Sequence, residues 1–475
     1  MRFVLALIVF GLASTAQARE PVGAIDEFIA AEIPISGAPG IAYAVVEDGD
    51  ILSGAYGEIL AGSGTPVTPD TPFLLGSISK SFTAMAVMKL VEAGSVEIDA
   101  PISRYLDVFK DRPSGAITIR QLLSHTSGFS TRQGNDTDFN PPQSGDELQR
   151  QVARIANWTP RHAPDARWQY SNANYLILGA VIESVSGQDF AGYLDTEILE
   201  PIGMDDSFIS DGKRYDAMAV GHQPWFGTKR PIRDNSTNRV NAPAGGVVAT
   251  ASDMALYMAT MMNGQDDVIS AESKTAMLST ASAASPHYGF GWAIVPSSGA
   301  AYHSGLTPGV ETLVVLSPAE RKGVVILINA NGGIGFGENA RLFSGVSARA
   351  IGGEDDRGAD SWGRKFLFLM FALLPLLFVT GIVQVALRPA GLRAKSGASG
   401  AFSLWFPFFT TLSLAWTSVW LIPRLFGTPI LKLSLYQPDF VLLLFATAAT
   451  GVLWAVFRLG VFYSSKRSLG NLPAR

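Results

Sequence analysis

The chain contains no cysteine. Disulfides, thiol nucleophiles and cysteine-held zinc are excluded at once. Histidine is scarce: five residues are scattered through 475 and none forms an H-E-x-x-H pair, so neither a catalytic metal nor another cofactor is expected. The net charge is −5 and no long basic run interrupts it, which leaves nucleic-acid binding without support. The pentapeptide G-x-S-x-G is missing, which disfavours the α/β-hydrolase route to a reactive serine. Gly332-Gly-Ile-Gly-Phe-Gly337 lacks the G-x-G-x-x-G spacing of a dinucleotide loop and reads as an ordinary loop.

What the chain does have is apolar material at both ends. Met1-Arg2 followed by Phe3 to Ala13 reads as a signal peptide, with Ala16-Gln17-Ala18 as the cleavage site; residues 1–18 would be removed. At the other end lie three long apolar stretches, about 366–387, 402–422 and 440–462. Each is long enough to cross a hydrocarbon core of about 30 Å. The loop after the first stretch carries Arg388, Arg393 and Lys395, and the tail after the third carries Lys466, Arg467 and Arg475, all without an acid. The excess of positive charge marks both as cytoplasmic. The expectation is a multi-pass protein in a bacterial inner membrane, with residues 19–351 on the periplasmic or extracellular side. Arg458, near the end of the third stretch, reads as a snorkelling side chain.

Within 19–351 the chemistry begins at Ser77-Ile-Ser-Lys80, which opens the helical run Ser79 to Leu90. A serine and a lysine three positions apart share one helix face. A serine hydroxyl needs a base to remove its proton, and a lysine amine is such a base once its surroundings lower its pKa. Two further fragments follow in order, Tyr170-Ser171-Asn172 and the strand-like His303-Ser304-Gly305.

The order S-x-x-K, Y-x-N, then H-x-G resembles the serine hydrolases that recognise penicillin. Phe73 to Ala84, Leu122-Leu-Ser-His-Thr-Ser-Gly128, Pro201-Ile-Gly-Met204 and Pro243 to Thr250 resemble further blocks of the class C β-lactamase, D-alanyl-D-alanine carboxypeptidase and serine esterase family. The resemblance spans about Ile25 to Asn329. It implies Ser77 as nucleophile, with Lys80 and Tyr170 sharing the proton transfers, the lysine lowering the pKa of the phenol. It sets Asn172 against Lys80 and the substrate amide, and places His303, Ser304 and Gly305 on the substrate side, the glycine admitting the substrate backbone. The amides of Ser77 and Leu306 would form the oxyanion hole. His303 stands where the family pattern has a lysine, which favours carboxypeptidase and esterase members over dedicated β-lactamases.

The resemblance also implies the fold: α+β, an antiparallel sheet flanked by helices with an inserted helical region. Ile41–Val46 and Ile51–Tyr56 are strand-like around an Asp-Gly turn, and Tyr288–Val295, Ala301–His303, Val310–Leu316 and Gly323–Asn329 read as later strands. Residues 352–365 read as a linker and 366–475 as a three-helix membrane region with its tail. The implied activity is a D-amino-acid-specific peptidase or carboxypeptidase working through an acyl-enzyme. A prodrug-activating acyl-D-amino-acid peptidase, an esterase and a weak β-lactamase are the alternatives. Its partners would be peptide, ester or β-lactam-like small substrates and the lipid bilayer. A penicillin-binding sensor is the non-enzyme alternative; it would need a cytoplasmic output domain, for which the short loop and tail leave no room.

Overall fold

The computed structural model describes residues 20–136, 144–352 and 362–470. The expected signal peptide lies outside these residues, as do most of the linker and part of the polar stretch 131–147. The chain divides into two compact units: one comprises 1–223, 229–332 and 337–358, the other 224–228, 333–336 and 359–475.

The first unit is built on a six-stranded sheet: β1 (Gly40–Glu47), β2 (Asp50–Gly57), β3 (Ala293–Val295), β4 (Ala300–Thr307), β5 (Val310–Ser317) and β6 (Lys322–Ile328). Their spatial order is β2-β1-β6-β5-β4-β3, antiparallel throughout. The β1–β2 turn sits on Asp48 and Gly49, with φ of 51° and 94°. That pair of positive φ values suits the twist of a two-residue hairpin, which is why Asp-Gly occurs there.

β1 is buried on both faces, so it reads as an unbroken apolar run instead of alternating. Ile41, Tyr43 and Val45 join Ile25, Ile29 and Ile33 of α1 (Glu20–Ser36) in one core. Ala42, Ala44 and Val46 face the larger core on the other side, shared with α2 (Ser79–Glu92), α3 (Asn172–Ser186) and α4 (Ala251–Met262). α5 (Ala340–Ile351) adds Leu342 and Val346 to the first core.

One expected strand is much shorter than its sequence pattern. Of Tyr288–Val295, only Ala293–Val295 is strand. Gly291 has φ +80°, and a Cβ there would lie 2.8 Å from the Lys80 carbonyl oxygen and 2.7 Å from the Ser81 Cα. Residues 288–292 are therefore bent against the start of α2, where a regular strand could not fit.

The second unit contains three helices long and apolar enough to cross a membrane: α6 (Trp362–Leu387), α7 (Gly397–Trp416), which runs on to Leu425, and α8 (Pro438–Gly470). They begin earlier than the apolar runs because the helix continues through the flanking polar residues. Close packing rests on small residues, the usual device between apolar helices. A Cβ on Gly381 would meet Trp454 at 2.5 Å, and one on Gly451 would meet Phe378 at 3.1 Å.

Candidate active site

Ser77 lies in a tight turn, Gly76–Ile78, that leads directly into α2. The turn is pinned from three sides. Leu75 N–H donates to Val247 O at 2.9 Å, and Val247 N–H donates to Ser79 Oγ at 2.9 Å. Thr312 Oγ1 donates to Leu75 O at 2.7 Å. Gly76 has φ +58°, and a Cβ there would come within 2.9 Å of Leu306 N. Only glycine lets β4 approach the serine turn this closely.

Lys80 is fully buried. Its Nζ lies 3.1 Å from Ser77 Oγ and 2.5 Å from Ala244 O. Burial pushes the amine well below its ordinary pKa of 10.5. An uncharged amine has a lone pair and can take the hydroxyl proton. Once protonated, it faces the Ala244 carbonyl and the rings of Tyr170 and Tyr175, 5.0 and 5.6 Å from Nζ. These are suitable neighbours for a cation formed briefly.

The Tyr170 hydroxyl is buried without a full hydrogen bond among the described residues. Its pKa is raised by burial, and the nearby Ser77 hydroxyl offsets this only in part. The lowering of the phenol by Lys80 that the resemblance implies is not among the influences on Tyr170, where burial dominates. Tyr170 rests as a neutral phenol, able to pass a proton but not stored as a base.

Asn172, the first residue of α3, makes no hydrogen bond to Lys80 among the described residues. Its Nδ2 donates to Asn135 Oδ1 at 3.1 Å, while its Oδ1 is buried and has no hydrogen-bond partner among the described residues. Besides Ser77 Oγ, Lys80 Nζ is hydrogen-bonded to the Ala244 carbonyl.

His303, Ser304 and Gly305 lie on β4, whose side chains alternate between faces. His303 and Gly305 point inward; Ser304 points outward with Tyr302 and Leu306, so the structure does not bring Ser304 and His303 together. His303 Nδ1 donates to Ser304 O at 2.8 Å, and Nε2 then accepts from the Tyr288 hydroxyl at 3.1 Å. Burial pulls its pKa down to about 3, and any charge on Lys80 would push the same way, so the imidazole is neutral. It cannot replace the positive charge of a lysine. Gly305 also differs from expectation. The space it leaves admits the chain itself, since a Cβ would fall 2.0 Å from Leu75 O and 2.1 Å from Thr312 Oγ1.

β3 pairs only with the start of β4, so residues 303–307 have an open edge. Thr307 and Val310 close a two-residue turn. Counting the antiparallel alternation from that pair turns the Leu306 N–H toward the open edge, beside Gly76.

Sequence reasoning missed His125. It is fully buried, adopts φ +60°, and its Nδ1 accepts from Ser171 N–H at 3.2 Å and from the Asn174 amide at 3.1 Å. With Nδ1 accepting, the proton is on Nε2, which is buried without a partner among the described residues. The ring lies 4.4 Å from that of Tyr170. His125 thus fixes the backbone that carries Tyr170. The signal was its place inside the Leu122–Gly128 block, but nothing local says that the block meets residues 171–174. His125→Leu would strand both donors. At about 1–3 kcal/mol for a buried group left unpaired, we expect a loss of about 2 kcal/mol in urea unfolding, with slower acylation. His125→Asn keeps an acceptor near Nδ1 and should recover part of both. Unchanged stability in His125→Leu would contradict this placement.

Comparison with known proteins gives consistent matches. The family model described as Beta-lactamase matches residues 25–345. Penicillin-binding protein 4 of Amycolatopsis lactamdurans is 31% identical over 325 residues, 62% of this chain and 81% of that protein. Protein flp of Staphylococcus aureus (strain MRSA252) is 25% identical over 316 residues, 65% of this chain, and the match spans only 62% of the length of flp. Among solved structures, the octameric penicillin-binding protein homologue from Pyrococcus abyssi superposes with a TM-score of 0.61 at 24% identity, over 74% of this chain and 81% of that one. That likeness establishes the fold.

Proposed function

This chain belongs to the beta-lactamase family, and from that membership we propose that it is a membrane-anchored serine hydrolase that cleaves amide or ester bonds through an acyl-enzyme on Ser77. The observation that carries the reading is the Ser77–Lys80 pair, 3.1 Å apart, with the amine buried and its pKa pushed well below the ordinary lysine value. Ser77 Oγ attacks the substrate carbonyl as its proton passes to Lys80 Nζ. The N–H groups of Ser77 and Leu306 receive the oxyanion. Lys80 returns the proton to the leaving amine or alcohol, with Tyr170 as relay. Water then hydrolyses the ester on Ser77, and the serine recovers its proton. Asn172 Oδ1, buried and unpartnered, is free to accept from the N–H on the acyl side of a substrate.

The preferred substrates in this reading are peptides with a D-amino acid at the cleaved bond, in keeping with the D-alanyl-D-alanine carboxypeptidase blocks that the sequence resembles. A second reading, an esterase or amidase for substrates without a free carboxylate, is favoured by the neutrality of His303. The three apolar helices support membrane anchoring. The basic loop and tail support a catalytic unit on the periplasmic side.

The test is a substrate panel of acyl-D-peptides with free and amidated C-termini, D-amino-acid amides, short esters and β-lactams. Faster turnover of the amidated peptides and esters than of free acids would select the second reading; the reverse would select a carboxypeptidase. His303→Lys should raise acylation by a carboxylate-bearing β-lactam relative to a neutral ester on the order of tenfold, about 1.4 kcal/mol from a fixed charge. An equal effect on both substrates would make His303 a structural residue only.

A further inference from the structure

We propose that Lys395 and Arg458, at one end of the apolar helix bundle, hold the phosphate of an anionic lipid headgroup. Arg458 lies 20 residues beyond Pro438, where α8 begins. At 1.5 Å per residue that is about 30 Å, the thickness of the hydrocarbon core, so the guanidinium sits at headgroup depth. It does not simply reach outward as a snorkelling side chain would. It donates to the Ser403 carbonyl of α7 at 3.0 Å and lies over the Trp454 ring at 4.9 Å, and its Nε is buried without a partner among the described residues.

Lys395 converges on the same residue from the segment before α7, its ammonium donating to Ser403 Oγ. The segment is held in place, because Leu392 is buried with Val385, Leu404 and Phe462. Two cations therefore bracket one serine. Among the described residues neither is paired with a carboxylate, and after Asp360 the only carboxylate side chain in the sequence is Asp439, at the opposite end of α8. Like charges fixed together beside hydrocarbon repel strongly unless an anion lies between them. Both keep unused N–H donors, and a phosphodiester has two unbridged oxygens and one negative charge to receive them. Basic pockets between membrane helices bind headgroups in this way. Arg388 and Arg393 are exposed on the same segment and contribute attraction at longer range.

The experiment uses the full chain in nanodiscs of phosphatidylcholine doped with phosphatidylglycerol, with bound lipids counted by mass spectrometry after mild extraction. The wild-type protein should retain phosphatidylglycerol over phosphatidylcholine by about tenfold. The Lys395→Gln/Arg458→Gln variant should lose that preference, and Lys395→Gln alone should lose part of it. Arg388→Gln/Arg393→Gln should keep most of it. Labelling of Ser77 by a fluorophosphonate checks that each variant carries an intact hydrolase unit. The site is refuted if the Lys395/Arg458 double variant keeps the wild-type preference, or if the Arg388/Arg393 pair matters as much. Equal displacement by inorganic phosphate would overturn the lipid as its source.

Discussion

Ser77→Ala should lower turnover of any good substrate by 10³-fold or more, on the order of what removal of a covalent nucleophile costs other serine hydrolases. The reason is specific to this turn. Among the described residues, Ser77 Oγ is the only hydroxyl hydrogen-bonded to Lys80 Nζ, whose other partner is a backbone carbonyl. No second hydroxyl can take over the attack, and water in its place would lose the advantage of a pre-positioned nucleophile. The fold should tolerate the change, since neither the Val247 bonds nor the Thr312 bond that pin the turn involve the Ser77 side chain. The variant should therefore unfold at a similar temperature while failing to react with a fluorophosphonate. Full hydrolysis by Ser77→Ala would remove the nucleophile assignment.

Lys80→Arg should be almost as damaging, again about 10³-fold or more. Arginine stays protonated in any protein environment and has no lone pair to offer. It would also place a permanent charge in a site built around a neutral amine. The same argument sets the pH dependence. Acylation needs the unprotonated amine, so the rate should rise with pH through an apparent pKa below 10.5 and fall on the acid side of it. No histidine step should interrupt that profile near 6.5. Burial holds His125 far below its ordinary value, and His303 takes up a proton only near 3. A rate that is flat from mildly acidic to alkaline pH, with chemistry rate-limiting, would contradict the role of Lys80. So would a limb near 6.5 that disappears in His303→Gln.

The parts of this account that could be read from sequence are those set by local spacing. Ser77 and Lys80 share one turn, and Tyr170 and Asn172 share one tripeptide, so their pairing survives without the fold. The three apolar helices were legible because hydropathy over 20 residues needs no tertiary context. What stayed hidden depends on segments far apart in sequence. The Ala244 carbonyl reaches Lys80 from 164 residues away, and His125 meets Ser171 and Asn174 across nearly 50. Gly305 was read as room for a substrate, but its missing side chain accommodates Leu75 O and Thr312 Oγ1. The alternating apolar pattern of 288–295 suggested a long strand, and Gly291 against α2 bends it instead. His303 was placed correctly on its strand. Its neutrality follows first from burial, which no local pattern encodes.

The central claim is an acyl group carried on Ser77. The most direct measurement is rapid acid quenching of the full-length protein during turnover of an ester or acyl-D-peptide, followed by peptide mass mapping. The account predicts one acyl mass on the peptide containing Ser77, accumulating in the first turnover and absent from Ser77→Ala. An acyl mass on any other residue, or turnover that proceeds with no adduct in a substrate series shown to be limited by deacylation, would contradict it.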